Sequence, residues 1–260
     1  MLSPGHKKNK RRLATYTWRE YDELARQDPI VILPCGSIEQ HGPHLPLDTD
    51  AVLGLALAER LAVELSCFVL EPLLYGARSD PYSGGGESFP GTVSLRPETF
   101  LAVAVDILEQ CALDGLRRFV LLNAHYENAA LLREASRRLC SRYREARVLF
   151  CNWWDIPARQ DIIDLYPTGA FPGMELEHGG LLETSMMLQL FPKSVGAPES
   201  FPDQLCRPPG FEIFPERPPT ASASGALAPA DRASAEIGAK LCRLVVHGIL
   251  EAVRDALPEI

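Results

Sequence analysis

The sequence predicts an α/β protein, a three-layer α/β/α sandwich built on a mainly parallel sheet. Short apolar runs at 30–34, 68–74, 119–122 and 148–153 have the length and the β-branched or aromatic content of buried strands. The stretches between them carry apolar residues at helical spacing, and strands that alternate with helices pair in parallel through crossovers. At 260 residues the chain suffices for one large domain, 1–260, and it shows no internal repeat.

Each element has a local reason. Residues 18–26 alternate charged and apolar groups at helical spacing until Asp28-Pro29 stops them. The first core strand, 30–34, ends at Gly36. Asp50 is placed to cap a helix over 51–65, whose Val52, Leu55, Ala56, Glu59 and Leu61 form a mostly apolar face. The second strand, 68–74, is interrupted by Pro72. A long loop, 75–91, carries Ser79, Ser83-Gly-Gly-Gly86 and Phe89-Pro-Gly91; a loop of that length is usually functional or disordered. Arg96-Pro97 opens a helix that runs to about 114, where Gly115 stops it. A helix over 128–143 follows the third strand, with arginines in its C-terminal half where they complement the dipole. The fourth strand ends in Trp153-Trp154-Asp155. A short helical piece at 162–166 is closed by Pro167, and a helix covers 181–190. From 192 to 230 proline, serine and alanine dominate, as in an extended arm or connector. Its anchors Phe201, Phe211, Ile213 and Phe214 require a surface, on the same or a neighbouring subunit. An amphipathic helix, 234–256, returns to the core.

Composition removes several classes. A formal net charge of -8 argues against a nucleic-acid partner, which needs a basic face. No apolar run is long enough to cross a bilayer, so no membrane partner is expected. The basic stretch 1–12 is followed by no apolar signal region and reads as a disordered tail. Seven cysteines, odd in number and without CxxC spacing, suit the reducing cytoplasm and not a disulfide framework. Cys35 is near the loop described next, but alanine or valine would pack there as well, and it receives no catalytic role.

That loop, 33–50, places Glu39, His41, His44, Asp48 and Asp50 directly after the first strand. Proline and glycine among them forbid a helix, and residues i and i+2 of an extended segment face one side. Glu39 and His41 therefore share a cavity that Asp50 re-enters from the next helix start, a ligand set suited to zinc or manganese. Alone, the stretch could be a polar loop with a helix cap. After the third strand, however, His125 and Glu127 repeat the pairing, and open α/β sheets gather ligands outside their carboxyl ends. Glu39, His41, Asp50, His125 and Glu127 suffice for two divalent ions if one carboxylate bridges. His44 reads as a supporting group.

Gly36-Ser-Ile-Glu-Gln-His-Gly42, Ser83-Gly-Gly-Gly86, Phe89-Pro-Gly-Thr92, His125-Tyr-Glu-Asn128 and Glu177-His-Gly-Gly180 together resemble the creatininase family over most of the chain. The resemblance implies two zinc or manganese ions per subunit, one held by Glu39, Asp50 and His125, the other by His41, Asp50 and Glu127. It gives His178 the proton for the departing nitrogen and Glu127 a catalytic part. It sets Ser79, Ala124, Tyr126, Trp154, Met174, Glu175 and Glu177 about the substrate, and it implies a homohexamer. Three positions depart from the family members it most resembles: Met174 stands for a tryptophan, Glu175 for an aspartate and Ala124 for a glycine. Without the resemblance, His178 is as readily a partner of the adjacent Glu177, and Trp153 and Trp154 as a pair are more often core than substrate wall. Tyr126 points away from its neighbours if the segment is extended. The implied activity is metal-dependent hydrolysis of a C–N bond in a small cyclic amide, with creatinine opened to creatine as the leading case. A formamide or a terminal peptide bond is the alternative, and a non-catalytic metal-binding scaffold a third.

Overall fold

A computed structural model of the protein describes residues 11–167, 170–197, 214 and 222–258. Four parallel strands, β1 (Ile30–Cys35), β2 (Cys67–Val69), β3 (Arg118–Asn123) and β4 (Arg147–Asn152), lie in the order β2-β1-β3-β4. Because side chains alternate across a strand, each apolar run feeds both faces of the sheet. Val31, Leu33, Phe119 and Leu121 meet α1 (Trp18–Ala25), α3 (Pro97–Leu113) and α4 (Asn128–Arg142) through Ala25, Phe100, Leu108 and Leu132. Ile30, Ile32, Val120 and Leu122 meet α2 (Thr49–Glu64), α6 (Leu181–Leu190) and α7 (Ala235–Ala256) through Leu57, Leu61, Met186 and Val245. These are the three layers that the sequence predicts. A short helix, α5 (Arg159–Ile163), follows β4. No helix among the described residues is long and apolar enough to cross a membrane.

The strand order reverses between β1 and β3: the chain leaves β1 for β2 on one side and returns to β3 on the other. Loops after two such strands diverge and leave a crevice at the carboxyl edge. The segments carrying Glu39 and His125 both open from this point.

Several local expectations shift. The second strand is three residues long, because Pro72 has no N–H for the ladder; pairing resumes where Leu73 N–H donates to the Pro34 carbonyl (3.0 Å). Asp48, not Asp50, is the N-cap of α2, and Asp50 lies in the first turn with its carboxylate turned elsewhere. His125 to Glu127 forms a turn and not an extended segment, closed by Asn128 N–H on the His125 carbonyl (3.2 Å). Arg11 and Arg12 of the expected tail lie beside β2, where Val69 N–H donates to the Arg11 carbonyl (3.0 Å); residues 1–10 fall outside the described residues. In the proline-rich stretch, Ala226, Leu227, Ala228 and Ala230 are buried in this same subunit, whereas Phe214 is exposed. Phe201, Phe211 and Ile213 fall outside the described residues. Six cysteines are free thiols, five of them buried, and Cys206 lies outside.

Candidate metal centre

The crevice is assembled by close approach. Gly36 ends β1 so near the start of α2 that a Cβ there would lie 2.5 Å from Ala51 Cα. Only glycine permits this contact, and it brings Asp50 back over the loop that carries Glu39 and His41. All three are buried, as is His125 from the neighbouring strand end.

The two imidazoles are held alike. His41 Nδ1–H donates to the Glu39 carbonyl (3.0 Å), leaving Nε2 2.8 Å from Asp50 Oδ1. His125 Nε2–H donates to the Ala77 carbonyl (3.1 Å), leaving Nδ1 3.0 Å from Glu39 Oε2 and 3.1 Å from Asp50 Oδ2. Each ring spends one N–H on a main-chain carbonyl and turns its other nitrogen to carboxylate oxygens. A neutral ring so tied meets those oxygens with a lone pair, and a cation between them makes the contact favourable. Asp50 gives one oxygen to each ring, the placement of a bridging ligand.

The electrostatics agree. Burial alone would push the His41 imidazole down, but Asp50 and Glu183 beside it hold its pKa up at about 10. His125 is likewise raised against its burial by Glu39 and Glu127. Burial works against ionisation of Asp50, yet the His41 charge and the two ring hydrogen bonds keep its carboxyl below the usual range. The field that retains these protons would equally retain divalent cations. The donor set fits two of them, since Glu39, Asp50 and His125 form one group of convergent ligand atoms and His41, Asp50 and Glu183 another.

Glu183 did not emerge from the sequence. It sits in the first turn of α6, buried, with Oε2 accepting Gly179 N–H (2.7 Å) and Oε1 3.8 Å from His41 Nε2. The available signal was a carboxylate in the first turn of a helix that carries no other charged residue. Glu127, which the family resemblance pairs with His41 and Asp50, lies instead on the far side of His125, with Oε2 3.2 Å from Nε2. Its Oε1 accepts Ser83 Oγ–H, Oε2 is buried with no hydrogen bond, and burial raises its pKa.

Around this core stand the other predicted residues. Ser79 gives its hydroxyl to Glu39, and His44 Nε2 bonds Thr184 Oγ1 (2.8 Å) at the side. Glu177 Oε1 accepts Tyr166 O–H (2.6 Å) and Leu182 N–H (2.8 Å), and burial pushes its pKa up to about 7. His178 lies with its ring 4.4 Å from that of His41; burial and that neighbour push its pKa down to about 4. Ala124, Trp154, Met174, Glu177 and His178 line a cavity of about 30 Å³ next to the carboxylates. That volume has room for a water or two and none for a substrate. Beyond it lies a groove of about 1090 Å³, which shares Ser83, Tyr126, Glu127, Trp154 and Met174 with the cavity and adds Glu175. Tyr126 is turned out into this groove and stacks on Trp154, with centroids 5.9 Å apart. Trp153 is core, edge-on to Trp154.

The chain is also similar, over nearly its whole length, to proteins of known family. The creatininase family profile, described as creatinine amidohydrolase, matches residues 14–253. A creatinine amidohydrolase of Pseudomonas putida is 38% identical over 251 residues, 93% of this chain and 95% of that protein. A solved mutant creatininase of Zn–Zn type superposes with a TM-score of 0.89 at 36% identity, covering 95% of this chain and 98% of its own. A manganese creatininase does so with a TM-score of 0.88 at the same identity and coverage.

Proposed function

The chain belongs to the creatininase family, and from that premise we propose that it is a metal-dependent amidohydrolase that opens a small cyclic amide, with creatinine as the leading substrate. The observation that carries the reading is the pair of imidazoles, each tied by one N–H to a carbonyl and each turned to a different oxygen of Asp50. We assign Glu39, Asp50 and His125 to one ion and His41, Asp50 and Glu183 to the other. When bound, two zinc or manganese ions supply an acidified water and a Lewis-acid grip on the amide oxygen.

The remaining work falls to the chain. Ser79 orients Glu39, and the Ala77 and Glu39 carbonyls orient the two imidazoles, so the centre is preorganised. Trp154 and Tyr126 offer stacked faces to a flat ring at the mouth of the cavity. Glu127 stands where cavity and groove meet, with one oxygen free of hydrogen bonds to hold a proton. His178 Nε2–H is occupied by the Gln40 carbonyl (2.6 Å), so the ring exchanges its catalytic proton at Nδ1, taking it up and returning it to the departing nitrogen.

Metal content per subunit, measured with turnover on creatinine, hydantoins and formamides, tests this. Two ions and turnover of a cyclic amide are expected; a metal-free protein inactive on all three sinks the reading. The open groove beside Met174 favours a second reading, hydrolysis of a formamide or terminal peptide bond at the same centre. Methionine fills space adaptably but offers no indole face. Met174→Trp is therefore expected to move the preference toward flat cyclic amides with the metal content unchanged, and an unaltered ranking would show that this position does not read the substrate.

The proposal includes the single-domain organisation, since residues from Glu39 to Leu227 converge on one site, and the homohexamer that the resemblance implies. Sedimentation near six times the 28.7 kDa chain mass is expected, and a monomer would overturn the assembly. Cytoplasmic residence rests on the free, buried cysteines.

A further inference from the structure

Between the two ligands Glu39 and His41 lies a residue whose side chain the mechanism above leaves without a part. Gln40 is buried, and every polar group it carries is engaged. Its Nε2 donates to the Gly84 carbonyl (2.9 Å) and to the Gly225 carbonyl (3.0 Å), and its Oε1 accepts Gly42 N–H (2.9 Å). Its own N–H goes to Thr92 Oγ1 (3.1 Å), and its carbonyl lies 2.6 Å from His178 Nε2.

Counting hydrogens fixes the histidine. The carboxamide has two N–H groups, and the two glycine carbonyls use both. The Gln40 Nε2 to His178 Nε2 approach of 2.9 Å therefore cannot be a third donation from the amide. If His178 Nε2 were bare, its lone pair would face the Gln40 carbonyl oxygen, and one glycine carbonyl would have to give up its bond. All groups are satisfied together only when His178 carries its proton on Nε2 and donates it to the Gln40 carbonyl.

The surroundings are shaped to this amide. A Cβ on Gly225 would lie 1.8 Å from Gln40 Oε1, and one on Gly85 2.3 Å from Gln40 Nε2; both glycines have positive φ. Two loops distant in sequence thus close on one side chain, and the second also grips His178 directly, Leu227 N–H donating to the His178 carbonyl (2.8 Å).

We propose that Gln40 is a positioning residue for His178: it sets which ring nitrogen exchanges protons with substrate and locks loop 79–86 and segment 222–230 against that ring. This rests on the reading of His178 as the proton carrier. Gln40 itself lines neither the cavity nor the groove, so it acts through the histidine.

The test uses the zinc-loaded enzyme with Gln40→Met, which keeps the length and removes both donors, with His178→Ala, and with the two combined. Gln40→Met is expected to keep both ions and lower kcat by about ten- to a hundredfold, part of the range for an acid–base group, with KM moved less than about twofold. Added to His178→Ala it should lower kcat no further, because residues acting as a unit are not additive. Normal turnover in Gln40→Met, or a full additional loss in the double variant, overturns the proposal. Near-normal turnover in His178→Ala instead overturns the proton-carrier reading, and the proposal with it. Should Gln40→Met fail to fold, the ¹⁵N imidazole spectrum of the zinc-loaded wild-type protein decides, with the His178 signals assigned by their absence in His178→Ala. The Nε2-protonated tautomer is expected, and the Nδ1-protonated one overturns the proposal.

Discussion

Asp50→Ala is expected to leave the protein folded and to remove both metal ions, not one. Asp50 Oδ1 and Oδ2 face different imidazoles, at 2.8 and 3.1 Å, and the same carboxylate completes both groups of convergent donors. Removing it leaves two protein ligands on each side and strips the negative charge between them. Even loss of a supporting outer partner weakens metal binding about 10–100-fold, and loss of a shared ligand must exceed that. Turnover should fall by more than the about 10²–10³-fold that follows removal of a single oxyanion donor, because nucleophile and Lewis acid leave together. Elemental analysis of the purified variant with far-ultraviolet circular dichroism checks it. One ion retained at full occupancy would mean that Asp50 serves one side only.

His178→Ala should behave in the opposite way. The variant is expected to keep both ions and the fold while turnover drops by about 10²–10⁴-fold, the range for a positioned acid–base group. No ion pair joins His178 to Asp50 or Glu39; its ring meets the carbonyl and the side-chain amide of Gln40 and the face of His41. It does fall within ligand distance of Glu39 and His41 in a third group of donor atoms. Metal content therefore discriminates: if an ion is lost with the imidazole, His178 is a ligand, and the proton comes from elsewhere, with Glu127 next in line.

The contrast between Asp50 and Glu183 shows what a sequence reveals and what it hides. Glu39, His41 and His125 lie just beyond apolar runs, and strand ends of a parallel sheet are neighbours by construction, so local pattern was enough to gather them. Glu183 lies on α6, whose position over the sheet is settled by packing of Leu182 and Met186 against α7 and α2, and no local rule reports that. Gln40 was visible in its motif, but its partners Gly84 and Gly225 come from loops whose paths are long-range facts. The cap expected at Asp50 falls two residues earlier, at Asp48, since helix boundaries are legible only to within a residue or two. His125 and Glu127 reach one site through a turn, although extended backbone would also have put them on one side. Residues 226–230 read as loose from composition, yet small alanines are what a close approach beside Gly225 allows.

The glycine clamp on Gln40 also bears on how the protein comes into being. A chain emerging from the ribosome presents Glu39, Asp50 and His125 first, then Glu183 much later, and Gly225 last of all. One half of the centre thus has its complete set of donors while the other still lacks α6, and the imidazole of His178 cannot be locked until Gly225 and Leu227 have followed. Birth order is written into the position of each residue: the centre can begin to assemble in halves, but its proton-handling machinery closes only when segment 225–227 arrives.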